Sequence, residues 1–330
     1  MVTILEAKDL TKKFPVQTGI FGSRSGSSVH AVDEVNFSIQ KGETFGLVGE
    51  SGCGKTTVAK LILKLLTPTH GTVSYCDKDI FDRSFPTNEM RKKIQLIFQD
   101  PYSSLNPRMT VYDIIGEPFD IHKLAKGEEK KKRILEMMKI VGLAPFHLYR
   151  YPHEFSGGQR QRIVIARALS VEPEILIMDE PVSALDVSVR AQVLNLLENL
   201  QKKFHLTYVF ISHDLSVVRH VCNRVAVMYL GQIVEMGIVN EVFDDPLHPY
   251  AEALLCCVPI PDPRSRKSRE ILTGEVPTPI DPPNYCRFAK RCKYAQDKCY
   301  SGNPPLTENK PNHWVACYFP VNKISDREER

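Results

Sequence analysis

Gly49-Glu50-Ser51-Gly52-Cys53-Gly54-Lys55-Thr56 fits the spacing G-x-x-x-x-G-K-[ST] at every fixed position. Glycines let successive backbone N–H groups close around phosphate oxygens with no Cβ in the way. A helix that starts near Lys55 points the positive end of its dipole at the same anion. In this spacing the lysine reaches the β- and γ-phosphates, and the hydroxyl of Thr56 ligates Mg²⁺. The expected phosphate-binding set is Gly49, Ser51, Gly52, Cys53, Gly54, Lys55, Thr56 and Thr57. Before it, Thr44 to Val48 is a short apolar run; after it, Val58 to Leu66 has helical periodicity. Strand, glycine loop, helix is the context the motif requires, and it sets the fold class as α/β.

Working outward, the same alternation recurs. Ile94 to Phe98 and Ile175 to Met178 read as buried strands. Helices are expected from Gly157 to Ala168 and from Val187 to Phe204. A strand from Tyr208 to Ile211, a helix from Leu215 to Val221 and a strand from Val225 to Tyr229 follow. Short all-apolar strands between helices imply a mainly parallel sheet covered on both faces. Upstream, the near-alternation of Val29, Ala31, Val35, Phe37 and Ile39 predicts an antiparallel β subdomain. From about 100 to 155 the chain is first loop-rich, then helical, with Ile134, Leu135, Met138 and Val141 on one face of a helix. This is read as an inserted helical subdomain. After Pro246 prolines accumulate and periodicity fades. The expected domains are 1–245 and a small loop-rich, cysteine-containing domain, 246–330.

Composition is that of a globular chain: 42% hydrophobic, 25% charged, with a formal net charge of +4. Such a charge gives no reason to expect nucleic acid or an anionic membrane surface as a partner. No run approaches the ~18 apolar residues of a membrane span, and the first residues lack a secretion-signal pattern. The chain is therefore expected inside the cell, and any pore it serves would come from other subunits.

Ile175-Leu176-Ile177-Met178-Asp179-Glu180 is an apolar strand tipped with two carboxylates. An acid at the end of a buried strand needs a partner, because an unpaired buried charge is costly. Asp179 is placed to hold Mg²⁺ through water, and Glu180 to orient and deprotonate an attacking water. An N-capping acid in a surface turn is the plainer alternative. His213 ends the next strand and is a candidate for the γ-phosphate. Gln99, after Ile94 to Phe98, is a candidate for Mg²⁺ or the water.

Phe155-Ser156-Gly157-Gly158-Gln159-Arg160-Gln161 offers a second phosphate-binding helix start: a hydroxyl, two small residues and exposed N–H groups, with a plain N-cap and a loose turn as the alternative. This run resembles the signature motif of ABC ATPases, with Phe155 where Leu is commoner. Gln99, Ser156, Asp179-Glu180, Ser183-Ala184-Leu185-Asp186 and His213 follow the phosphate loop in that family's order. The resemblance implies a P-loop NTPase core and two cassettes paired head to tail. Each ATP would lie between one chain's phosphate loop and Ser156, Gly157, Gly158 and Gln159 of the other. It also implies that Asp186 belongs to the nucleotide site, that Gln99 couples it to membrane subunits, and that an aromatic near the N-terminus stacks on adenine. Phe14 is the candidate, with an ordinary core role as its alternative.

His248-Pro249-Tyr250-Ala251, Leu254-Leu255, Val258-Pro259 and Asp100-Pro101-Tyr102-Ser103-Ser104-Leu105-Asn106-Pro107 resemble the oligopeptide/dipeptide importer branch of that family. That branch implies ATP hydrolysis driving peptide import. Its partners would be two transmembrane permease subunits, a second like or identical ATPase and, indirectly, an extracytoplasmic binding protein. The place would be the cytoplasmic face of the membrane, without nucleic acid. Members of the branch also import nickel or sugars. Non-transport ABC ATPases carry long coiled coils or two cassettes, and this chain has neither.

Nine cysteines are present, four of them late: Cys286, Cys292, Cys299 and Cys317. Four thiolates suit structural zinc or an iron–sulfur cluster. Tight C-x2-C knuckles are absent, and some members of the resembled branch carry a cluster on such a tail. A [4Fe–4S] cluster is the expectation, with zinc, or free or disulfide-bonded thiols, as alternatives. Arg287, Lys290, Arg291 and Lys293 lie among these cysteines and read as solvated surface charges, with offsetting a cluster's negative charge as the alternative.

Overall fold

The computed structural model describes residues 2–17, 24–98, 100–256 and 277–321. Gln99 lies outside the described residues. Twelve strands run through them: β1 (Thr3–Gln17), β2 (Arg24–Gln40), β3 (Thr44–Val48), β4 (His70–Tyr75), β5 (Lys78–Asp79), β6 (Ile94–Ile97), β7 (Ile175–Asp179), β8 (Thr207–Ile211), β9 (Arg224–Tyr229), β10 (Gln232–Ile238), β11 (Thr307–Lys310) and β12 (His313–Val315). By internal packing the chain forms two compact units. One holds Met1–Gln40, Phe45–Arg83 and Ser212–Arg330; the other holds Lys41–Thr44 and Ser84–Ile211.

In the first unit, β2, β1, β4 and β5 form an antiparallel sheet in that order. Its buried face carries Leu5, Leu10, Val32, Val35, Ile39 and Val73. A second run of strands is ordered β11-β12-β10-β9-β3. Here β3 and β9 pair in parallel, while β10 turns back antiparallel on β9. The turn is Leu230-Gly231, with φ of 42° and 82°. Two successive left-handed residues match the type I′ geometry that suits the right-handed twist of a hairpin. Gly46 lets the helix Leu215–Val221 lie close on β3: a Cβ there would meet Cys222 Sγ at 3.0 Å and Val218 Cγ1 at 3.2 Å.

The second unit holds β8, β7 and β6, all parallel. Ile175, Leu176, Ile177 and Met178 are fully buried, as an apolar run without alternation requires. The helix Val187–Phe204 buries Val193, Leu194, Leu197 and Leu200, spaced to share one face. The inserted segment contains Val111–Ile121 and Gly127–Ile140. The first is closed by a Thr110–Asp113 capping box, and the second buries Ile134 and Met138.

The proline-rich tail adds β12 to β10, pairing Glu235 with Val315 and Gly237 with His313. The joint is polar. Glu235 is fully buried; its carboxylate accepts the backbone N–H groups of Leu247 (2.9 Å) and His248 (2.7 Å) and meets His313 Nε2 at 2.7 Å. Burial pushes the His248 pKa down to about 3. Its Nδ1 accordingly accepts the N–H of Tyr250 at 3.0 Å, at the start of the helix Pro249–Cys256.

Removing one partner of such a joint leaves the others buried and unsatisfied. Glu235→Ala is expected to lower the unfolding free energy by about 3–5 kcal/mol. Denaturant titration followed by circular dichroism measures it, and a loss below about 1 kcal/mol would contradict this role for Glu235.

Candidate nucleotide site

The phosphate loop leaves β3 and enters the helix Lys55–Ile62. Gly49, Gly52 and Gly54 have φ of 149°, 81° and 111°. Two of them are also enclosed. A Cβ on Gly49 would lie 2.2 Å from Met228 O, and one on Gly54 2.1 Å from Ala31 O. Both neighbours are backbone and cannot turn aside, so glycine is required by conformation and by space. The turn between β9 and β10 supports the loop from beneath, with Gly231 N–H donating to Cys53 O at 2.8 Å. Lys55 is buried, and its ammonium donates to Gly49 O (2.8 Å) and Glu50 O (2.9 Å). That holds the charge at the centre of the loop. Burial raises the Cys53 thiol pKa despite Lys55 beside it, so Cys53 fills space as a neutral group. Thr56 is exposed and Thr57 half-buried on the first turn of the helix.

Phe14 is half-buried near the end of β1, with Lys12 Nζ 5.2 Å from its ring centre. It is not among the fully buried core side chains. His213 is exposed. Ser212, just before it, donates its N–H to Leu47 O at 3.3 Å, which fixes this segment beside the end of β3. The first unit therefore brings the phosphate loop and His213 together.

In the second unit, Asp179 and Glu180 stand at the tip of β7, both partly exposed. Glu180 has φ of 49°, a left-handed conformation unusual for a residue with a side chain. Its N–H donates to Ile211 O at 2.9 Å, while its carbonyl accepts the Ser183 N–H (3.2 Å) and hydroxyl (3.0 Å). Backbone on both sides thus holds the strained turn that carries Glu180. Asp186 is exposed at the N-cap of Val187–Phe204 without a side-chain capping bond. Ser156 caps the helix Gly157–Leu169: its hydroxyl accepts the Gln159 N–H at 3.4 Å, and Gln159 Oε1 accepts the Ser156 N–H at 3.1 Å. Gly158 lets this helix approach the next, since a Cβ would lie 2.3 Å from Val189 Cγ1. Arg160 is buried behind them, donating to Pro152 O at 2.7 Å and lying 3.9 Å from the Tyr102 ring centre.

The cysteine tail departs from expectation in two ways. Among the described residues, no group of three or more His, Cys, Asp or Glu is arranged to hold a metal ion. Cys286, Cys292, Cys299 and Cys317 do line one pocket, under Phe288 and His248, and none of them is in a disulfide. Burial raises the pKa of Cys286 and Cys292, and pushes that of Cys317 up to about 12. Such thiols stay protonated unless a cation draws the protons off. The donors have the right chemistry and a shared cavity, but they are not set as a finished ligand shell. The second departure concerns the basic residues. Lys290 and Lys293 are exposed, as expected. Arg287 and Arg291 are not solvated: their side chains are 4% and 6% exposed and paired with Asp33 and Glu50. Against the cost of its burial, Arg287, with His30, holds the Asp33 carboxyl below its ordinary range. Charge count could not separate these arginines from the lysines; their partners lie more than 200 residues away.

A glycine loop on a strand–helix junction, an acid-tipped parallel strand and a Ser-Gly-Gly-Gln helix cap define an ABC-type ATPase. The family comparisons agree. Residues 32–183 match the ABC transporter family, and residues 234–299 match the oligopeptide/dipeptide transporter C-terminal region. The chain is 51% identical over 321 residues to the oligopeptide transport ATP-binding protein AppF of Bacillus subtilis, covering 96% of this chain and 97% of that one. It is 46% identical over 316 residues to the dipeptide transport ATP-binding protein DppF of Haemophilus influenzae, covering 96% of each. Among solved structures, the ATP-binding cassette MJ0796, a dimer in a post-hydrolysis state bound to ADP and Pi, superposes with a TM-score of 0.62 at 29% identity. That match covers 72% of this chain and 99% of the cassette. The chain belongs to the ABC transporter ATPases, in the branch with the oligopeptide/dipeptide transporter C-terminal region.

Proposed function

We propose that this chain is the motor subunit of a di- or oligopeptide importer, hydrolysing ATP at the cytoplasmic face of the membrane. The observation that carries the reading is its alignment, over 96% of its length at 51% identity, with an oligopeptide transport ATP-binding protein. Among the described residues no helix is long and apolar enough to cross a membrane, so two permease subunits would form the path. A binding protein outside the membrane would deliver the peptide, and a second ATPase, identical or related, would complete the pair.

In this reading the Gly49–Thr57 backbone and Lys55 hold the triphosphate, and Phe14 stacks on the adenine. Thr56 and Asp179, with Gln99, would hold Mg²⁺, which supplies neutralisation of the charge on the β- and γ-phosphates. Glu180 takes a proton from the water that attacks the γ-phosphorus, and His213 steadies the γ-phosphate. The Ser156–Gln159 helix start and Asp186 of one cassette face the nucleotide of the other. Exposure of Ser156, Thr56 and Asp186 supports this, since each must be open to a ligand or a second chain.

Glu180→Gln keeps the shape of the side chain and removes the base. It should bind ATP as the wild type does and hydrolyse it about 10²–10⁴-fold more slowly; phosphate release measures this. Turnover within a few fold of wild type would take the base role from Glu180.

For the tail, the proposal is a [4Fe–4S] cluster on Cys286, Cys292, Cys299 and Cys317, with zinc as the alternative. What supports it is the donor set itself, four thiols within a short stretch of chain; metal ligation would draw them together and fold a proline-rich segment with little core of its own. Protein purified without oxygen should contain about four iron and four sulfide per chain and absorb broadly near 400 nm. One zinc and no colour would select the alternative; neither metal would refute both.

A further inference from the structure

We propose that Arg291 is a positioning residue for the phosphate loop, through which the cysteine-lined tail sets the loop's affinity for nucleotide. The proposal rests on the reading of Gly49–Thr56 as an ATP site. All the groups involved belong to the first unit.

Glu50 is the only acid between Gly49 and Thr56. A carboxylate in a loop built for a polyanion is unfavourable unless it is neutralised. Arg291 neutralises it. Its Nη1 lies 3.0 Å from Glu50 Oε2 and its Nη2 3.2 Å from Oε1, a two-pronged pair that fixes direction as well as charge. Nη1 also donates to the Tyr229 hydroxyl at 3.3 Å, at the end of the strand beneath the loop.

The backbone of the same loop residue is gripped separately. Glu50 N–H donates to the hydroxyl of fully buried Tyr250 at 2.9 Å. The Tyr250 ring packs on Phe288 at 5.5 Å, and Phe288 lines the pocket of Cys286, Cys292, Cys299 and Cys317. Arg291 itself directly precedes Cys292. The side chain of Glu50 is thus tied to the segment that carries the thiols, and its backbone to Tyr250, which packs on that segment. A partly buried ion pair adds little stability, because desolvation offsets the attraction. Its direction and its place on the loop suit positioning instead.

Coupling between two sites is reciprocal: if the tail favours nucleotide binding, nucleotide steadies the tail. The test uses full-length Arg291→Met, Arg291→Lys, Glu50→Gln and the Glu50→Gln/Arg291→Met double variant. ATP affinity is measured by calorimetry, and amide exchange of residues 284–300 by mass spectrometry with and without ATP. Arg291→Met should weaken ATP binding at least about fivefold, the lower range for linked sites. Arg291→Lys should recover part of the loss, because it keeps the charge and loses the fork. The double variant should bind no more weakly than the worse single variant, since both remove one interaction. ATP should slow exchange in 284–300 of the wild type and leave Arg291→Met unchanged. If Arg291→Met does not fold, Glu50→Gln carries the same exchange test.

Arg291→Met binding ATP within about twofold of wild type would overturn the proposal, as would losses that multiply in the double variant. So would a wild type whose 284–300 amides ignore ATP. A wild type that binds no ATP at all would instead overturn the reading of the loop on which the proposal rests.

Discussion

Backbone amides can surround a polyphosphate only where no side chain intrudes, and this constraint organises the first unit. The phosphate loop runs between two carbonyls, Ala31 O and Met228 O, that leave no room for a Cβ on Gly54 or Gly49. These carbonyls come from β2 and β9, elements far apart in sequence. The antiparallel β1–β2 pair and the β9–β10 hairpin therefore frame the loop as well as forming core. The Leu230-Gly231 turn then donates to Cys53 O, so a hairpin turn doubles as a support for the anion site.

The same frame anchors the C-terminal tail. β12 extends the sheet at β10, and the Glu235–His313 joint makes that seam polar, buried and directional. Tyr250 and Arg291 reach from the tail side onto Glu50. The segment that distinguishes this branch of the family thus touches the element common to all phosphate-loop ATPases. In the second unit, a strained turn at Glu180 and a capped helix at Ser156 follow another logic. Each presents a polar group at the tip of an element that is mostly buried.

Much of this was legible in the sequence. An all-apolar run as short as Ile175 to Met178, set between helices, suits a strand covered on both faces, and its residues lie fully buried in β7. The helix expected from Val187 to Phe204 has those bounds in the structure, because its apolar period runs unbroken between them. β10 was missed: Gln232 and Glu235 interrupt its apolar pattern, although Leu230-Gly231 between two apolar runs was a hairpin signal. Glu235 breaks that pattern because it serves the tail, a long-range purpose that local periodicity cannot reveal. The Glu50–Arg291 pair was hidden for the same reason. A charged residue in a phosphate loop and an arginine in a basic cluster each look ordinary until the fold puts them 3.0 Å apart. The thiols were recognisable as a donor set from number and spacing alone, but their arrangement around the pocket was not.

The central claim is that Gly49 to Thr56 binds ATP through an enclosed lysine charge. Titration calorimetry of wild-type protein and Lys55→Ala with ATP and Mg²⁺ tests it most directly. The account predicts saturable binding by the wild type, and a loss of about 1.5–3 kcal/mol, roughly 10- to 150-fold, on removing the charged donor. Equal affinity in the two proteins, with the fold of both intact by circular dichroism, would contradict it.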